Sequence, residues 1–143
     1  MTTADPYGLQ RFVSAQDDGG TYQQAVDELR RGRKTTHWMW FVFPQITGLG
    51  RSSAAQHYGI RSLSEGRAYL AHPVLGPRLL ECASIVAGLS GLSAEQIFGA
   101  IDAMKLRSSV TLFMHADPAA TVFRQVLEHY FGGVPDPATE QLL

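Results

Sequence analysis

The nine residues His37-Trp38-Met39-Trp40-Phe41-Val42-Phe43-Pro44-Gln45 hold both tryptophans of the chain and two of its seven phenylalanines. Arg30, Arg31, Arg33 and Lys34 stand on one side of this run, and Gly48-Leu49-Gly50-Arg51 on the other. Indole faces stack on rings and cations pair with anions, so the segment has the composition of a pocket for an anionic, ring-containing ligand. Core packing accounts for the same aromatics, and the two readings differ in whether the rings face a cavity. His37, Trp38, Trp40 and Gln45 are the candidate contacts here.

Two more segments carry polar chemistry. Gly48-Leu49-Gly50-Arg51-Ser52-Ser53 precedes a short helical pattern at 53–58, and two glycines, Arg51 and serines in that place suit a phosphate nest. The third glycine of a dinucleotide fingerprint and the Lys-Ser/Thr of a P-loop are absent, and no strand precedes the segment. Lys105-Leu106-Arg107-Ser108-Ser109 lies near a helix start, where cations oppose the macrodipole, so Lys105 and Arg107 require an acidic side chain or a ligand phosphate as partner. Lys105 and Ser108 are one turn apart, but a Ser-Lys nucleophile also needs an oxyanion hole. The five histidines form no His-x3-His or His-Glu-x-x-His pair, so neither a metal nor a cofactor is expected.

The elements that must position these residues read as helices throughout. Leu9, Phe12, Val13 and Gln16 mark one face of a first helix, stopped by Asp17-Asp18-Gly19-Gly20. Thr21-Tyr22-Gln23-Gln24 has capping-box form ahead of Ala25, Val26 and Leu29, with Gly32 placed to end that helix. A buried helix is predicted over 36–43, ended by Pro44. Ser64 is the expected cap of a helix reaching Ala71, and Pro73 opens the next, with Leu75, Leu79, Cys82, Val86 and Leu89 inward. Ser93-Ala94-Glu95-Gln96 is a second capping box, Asp102 the expected cap of a helix over 102–115, and Asp117-Pro118 the restart of a helix striped by Val122, Phe123, Val126, Leu127 and Tyr130. A last turn follows Asp136-Pro137. Period-two alternation never persists. The expected fold is all-α, a single multihelical domain over 1–143 with about seven to nine helices and short loops, flexible at about 1–5 and in the last few residues.

With 45% apolar and 17% charged residues, the 143-residue chain has the composition of an ordered globule. Cys82 is its only cysteine and sits in an apolar helical pattern, which suits a buried thiol in a reducing compartment. No apolar run approaches the ~20 residues that cross a bilayer, so a cytoplasmic protein without membrane partners is expected. The net charge of −1 is segregated: residues 30–110 carry ten basic and four acidic side chains, whereas both flanks are acidic. Either the acidic ends pair with the basic middle or the middle receives an anion. An acidic protein or a nucleic acid is the alternative partner, with bases on tryptophan and phosphates on arginine.

The His37 to Gln45 string, Gly48-Leu49-Gly50-Arg51-Ser52, Tyr69-Leu70-Ala71-His72-Pro73-Val74-Leu75-Gly76 with Arg78-Leu79, Ile97-Phe98-Gly99 and Lys105-Leu106-Arg107-Ser108-Ser109 together resemble the bacterial and fungal family catalogued as domain of unknown function 1810. The likeness extends over residues 9–140 and implies an all-α fold without assigning an activity. A fainter likeness links Gln24-Ala25, Leu49-Gly50-Arg51, His72-Pro73-Val74-Leu75, Phe98-Gly99 and Lys105-Leu106 to the YbiA-like group acting on N-glycosidic bonds of ribosyl compounds. That group's Glu-His pair before the first helix is replaced here by Gly20 and Thr21. The likeness implies a phosphorylated ribosyl or nucleotide-like ligand and cleavage of its N-glycosidic bond. Trp38 or Trp40 would then stack on the ring, Arg51, Lys105 and Arg107 would hold phosphates, and Asp102 or Glu28 would supply the carboxylate.

Overall fold

The computed structural model describes residues 4–143, so the first three of the residues expected to be flexible lie outside it. The chain forms α1 (Gln10–Asp17), a 3-10 turn (Asp18–Gly20), α2 (Thr21–Arg30), α3 (Met39–Val42), α4 (Ser53–His57), α5 (Leu63–Ala71), α6 (Leu75–Gly88), α7 (Ala94–Phe98), α8 (Ala100–Ala116), α9 (Val122–Phe131) and α10 (Pro137–Leu142). The fold is all-α, as the periodicity predicts. Among the described residues the nearest thing to a strand is one parallel bridge, Ile46 to Ile60, which pins the chain before Gly48 to the turn after α4.

The buried side chains form one cluster, with Trp38, Tyr69, Phe12, Phe43, Phe113 and Phe123 as its largest members. Helix α8 is the spine, touching α5, α7, α9 and α10, while α6 packs on α2, α5 and α9. Two buried glutamates tie loops to this core. Glu65 receives Arg11 at 2.8 Å, and the same guanidinium holds the carbonyls of His57 and Gly59, joining α1, α4 and α5. Glu28 organises the segment after α2 and recurs below.

Several helix ends differ from the sequence reading. The capping box at Ser93 and Gln96 forms in full, and Gly32, at φ +75°, closes α2. Thr21 does not cap α2; Gly20 precedes the helix in a left-handed conformation, and the Thr21 hydroxyl donates to Asp18 O at 2.6 Å. Ser62 rather than Ser64 caps α5, accepting from Glu65 N. The start of α6 is capped by His72, whose Nδ1 accepts from the amides of Val74 and Leu75 at 3.1 and 3.2 Å. Gly99 precedes α8, leaving Asp102 inside its first turn, and α9 begins at Val122, well after Asp117. The helix expected over 36–43 shrinks to Met39–Val42. The reason is Glu28, whose carboxylate takes the Thr35 and Thr36 amides and holds 35–38 as a loop. No described helix is long and apolar enough to cross a membrane.

Candidate functional site

A groove of about 340 Å³ runs beside α8. It is lined by Ile101, Met104, Lys105 and Ser108 of α8, by Trp40, Gln45, Leu49 and Gly50, and by Asp136 and Ala138. Ile101 and Met104 are 73% and 70% exposed, unusual for large apolar side chains in a helix whose Leu106 and Val110 are fully buried. Isolated exposed apolar residues require no explanation, but two at i, i+3 along one groove give it an apolar lip. A smaller hollow of about 70 Å³ adjoins the groove and shares Trp40 and Lys105 with it.

Charge at the junction comes from three side chains. Asp102 accepts from Lys34 at 2.9 Å through one oxygen and from Lys105 at 3.3 Å through the other. Lys34 Nζ also donates to Thr36 O and lies 5.1 Å from the Trp38 ring, and Lys105 Nζ lies 3.7 Å from the Trp40 ring centroid. Each cation thus sits over an indole, an attraction of about 0.5–2 kcal/mol according to desolvation. The position of Asp102 in the first turn of α8 also suits the helix dipole, which Lys105 alone would oppose. Two ammonium groups on one carboxylate leave a positive surplus in the adjoining hollow, while Lys105 and the Asp136 carboxylate are the charged groups of the groove itself.

Of the residues proposed from sequence, the groove brings together Trp40, Gln45, Lys105 and Ser108. His37 is exposed and lines the adjoining hollow. Trp38 is core: it is fully buried, and its indole N–H donates to Glu28 at 3.0 Å. Glu28 lies beneath the surface, bonded to Thr35 N, Thr36 N, the Thr36 hydroxyl and Trp38. Burial raises its pKa, but these hydrogen bonds outweigh burial and carry it down to about 2. A carboxylate so encased and so acidic is unsuited to proton transfer near neutrality.

Arg51 is exposed and lines no part of the groove, and the adjacent Ser52 is used as the cap of α4, accepting from Ala55 N at 3.1 Å. Arg107 points the other way, donating to the carbonyls of Val134 and Pro135 at 3.0 and 3.2 Å beside the Phe131 ring. It therefore fixes the turn that presents Asp136. Ser108 is buried, and its hydroxyl lies 3.1 Å from both Met104 O and Asp136 Oδ2, with no bond to Lys105. A Ser-Lys nucleophile is not assembled. Among the described residues no group of three or more His, Cys, Asp or Glu side chains is placed to hold a metal ion.

Sequence reasoning missed Asp136, Leu49, Ile101 and Met104 as lining residues. Asp136-Pro137 carries a helix-cap signature, and Asp136 does cap α10, accepting from Thr139 N at 3.0 Å. That signature masks its second position on the groove wall. Ile101 and Met104 fall off the buried stripe of α8, the signal that would have placed them outside the core.

The fold corresponds almost completely to that of a solved structure. The chain is similar to the conserved hypothetical protein Rv1873 from Mycobacterium tuberculosis, with 52% identity, a TM-score of 0.94, and coverage of 97% of this chain and 98% of that one. No curated protein matches. A family model matches residues 6–143, and the chain belongs to the family described as protein of unknown function, DUF1810.

Proposed function

We propose that the groove beside α8 binds a phosphorylated ribosyl or nucleotide-like ligand, its ring against Trp40 and the apolar lip of Ile101 and Met104 and its anionic group on Lys105. The observation that carries this reading is the Lys105 ammonium, 3.7 Å from the Trp40 ring at the edge of a groove of about 340 Å³. A concave, mostly apolar wall with a few convergent polar groups is the usual form of a small-molecule site. A macromolecular partner would use a flat basic face, whereas Trp40 and Lys105 line a concavity; the exposed Arg30, Arg31 and Arg33 do not line it. A reducing, cytoplasmic setting accords with a single buried thiol and with nucleotide ligands.

Cleavage of the ligand's N-glycosidic bond, with water adding at the anomeric carbon and the base leaving protonated, extends this reading. It requires a carboxylate other than Glu28, which is enclosed, and Asp102, which is shared by two lysines.

A thermal-shift screen against ribonucleotides, NAD, ADP-ribose, ribosyl phosphates and short RNA tests the proposal, followed by product analysis on any ligand that binds. A ligand at about 100 times its Kd adds about 2.7 kcal/mol, a rise on the order of 10 °C here. A response to RNA alone, or to nothing, would overturn it.

A further inference from the structure

Resting on the nucleotide reading of the groove, we propose that its ligand is a ribonucleoside monophosphate and that Asp136 reads the ribose hydroxyls. All three hydrogen bonds that the Asp136 carboxylate receives fall on Oδ2, from Ser108 Oγ at 3.1 Å, Thr139 N at 3.0 Å and Thr139 Oγ1 at 2.6 Å. Oδ1 receives none among the described residues, although Asp136 lines the groove. An ionised carboxylate only accepts, so this solvent-accessible oxygen is free to take a donor from a ligand in place of water. Sugar hydroxyls are such donors, and an acidic side chain is the usual partner of a ribose diol.

The carboxylate is held in place before any ligand arrives. Its own amide donates to Thr111 Oγ1 at 2.9 Å, and the two carbonyls ahead of it are clamped by Arg107. Preorganised acceptors of this kind lose little freedom on binding. Ser108, which touches Asp136, follows Lys105 by one turn of α8, so Lys105 and Asp136 are neighbours in the lining of the groove. With a cation and an acceptor in one groove, a 5′-phosphate falls to Lys105 and the 2′ and 3′ hydroxyls of the same sugar to Asp136. A second phosphate would meet Asp102 or Asp136, one on each side of Lys105, so the site takes one.

The test is calorimetric titration of the full chain with the four ribonucleoside 5′-monophosphates, their 2′- and 3′-deoxy counterparts and the matching diphosphates. For the base that binds, the ribo form is expected to be at least about tenfold tighter than either deoxy form, because a site built around a hydroxyl rejects its absence. The diphosphate is expected to be weaker than the monophosphate. In Asp136→Asn the amide carbonyl takes the place of Oδ2 and keeps the α10 cap, while its NH2 replaces an acceptor by a donor. This variant should bring the ribo form down to deoxy affinity and leave the deoxy forms unchanged. Equal ribo and deoxy affinity in the native protein, equal weakening of both by Asp136→Asn, or tighter diphosphate binding would each overturn the inference while sparing the nucleotide reading. If no nucleotide binds, both fall. The native comparison decides even if the variant does not fold.

Discussion

The indole N–H of Trp38 donates to Glu28 Oε1 at 3.0 Å, and that same oxygen accepts the amides of Thr35 and Thr36. One carboxylate thereby fixes both the loop after α2 and the largest side chain of the core. Truncation would strand buried donors, so Glu28→Ala should cost about 3 kcal/mol or more, and Glu28→Gln nearly as much because its NH2 opposes N–H groups. The pKa of about 2 adds a pH signature. The folded value lies below the unfolded value near 4.5, so the stabilisation is complete above that value and is lost as pH falls toward 2. It amounts to about 3 kcal/mol. Urea midpoints measured between pH 7 and pH 2.5 should fall steeply below pH 4.5 in the native protein, with a smaller slope in Glu28→Gln. Parallel slopes would show that other carboxylates govern the acid limb.

Lys105 couples the Trp40 ring to Asp102 at the groove's edge. Its removal should weaken an anionic ligand by about tenfold to a hundredfold, the range of a charge-assisted hydrogen bond. Stability should change by less than about 1 kcal/mol, since the Lys34 and Asp102 pair persists. Titration of Lys105→Ala with the best ligand of the screen checks this. Unchanged affinity would remove the ammonium from the site.

Much of the architecture was legible because it depends on local periodicity and caps. Ser93 and Gln96 announce α7, and Leu75, Leu79, Cys82 and Val86 announce α6, since each signal lies within a few residues of what it specifies. The site was less legible because it depends on long-range partners. Trp38 and Trp40 are two residues apart and equally aromatic, yet Glu28 draws one indole into the core and leaves the other half-buried on the groove. Arg107 and Lys105 are likewise two apart on α8, which turns them to different faces: toward the Val134 and Pro135 carbonyls and toward Trp40. Asp136 reaches Ser108 across 28 positions of chain, beyond any local pattern.

Gly76 stands in the first turn of α6, where a Cβ would overlap the carbonyl oxygen of Leu70 in α5. The obstacle is backbone, which cannot rotate away. Gly76→Ala should therefore cost about 3 kcal/mol despite the higher helix propensity of alanine, because overpacking outweighs a gain of about 1 kcal/mol. Gly88, in the last turn of the same helix, meets nothing within 4 Å, so Gly88→Ala should be neutral or stabilising. Thermal melts of the two variants provide an internal control. Equal melting temperatures would refute the close approach of α5 and α6.

Cys82 is fully buried in α6, its thiol 3.8 Å from the Tyr22 hydroxyl. Burial pushes the thiol up to about 12, outweighing the hydrogen bond with Tyr22, which acts the other way. Almost no thiolate exists at pH 8, and reagents have no path to the sulfur. Labelling by a thiol-reactive chromophore should therefore proceed only through opening of the fold and accelerate with urea as the native population falls. Glu28→Ala, destabilised at a site remote in sequence, should label faster in proportion to its lost stability. Rapid stoichiometric labelling of the native protein without denaturant would show instead that α2 and α6 part locally, and would place Cys82 within reach of solvent.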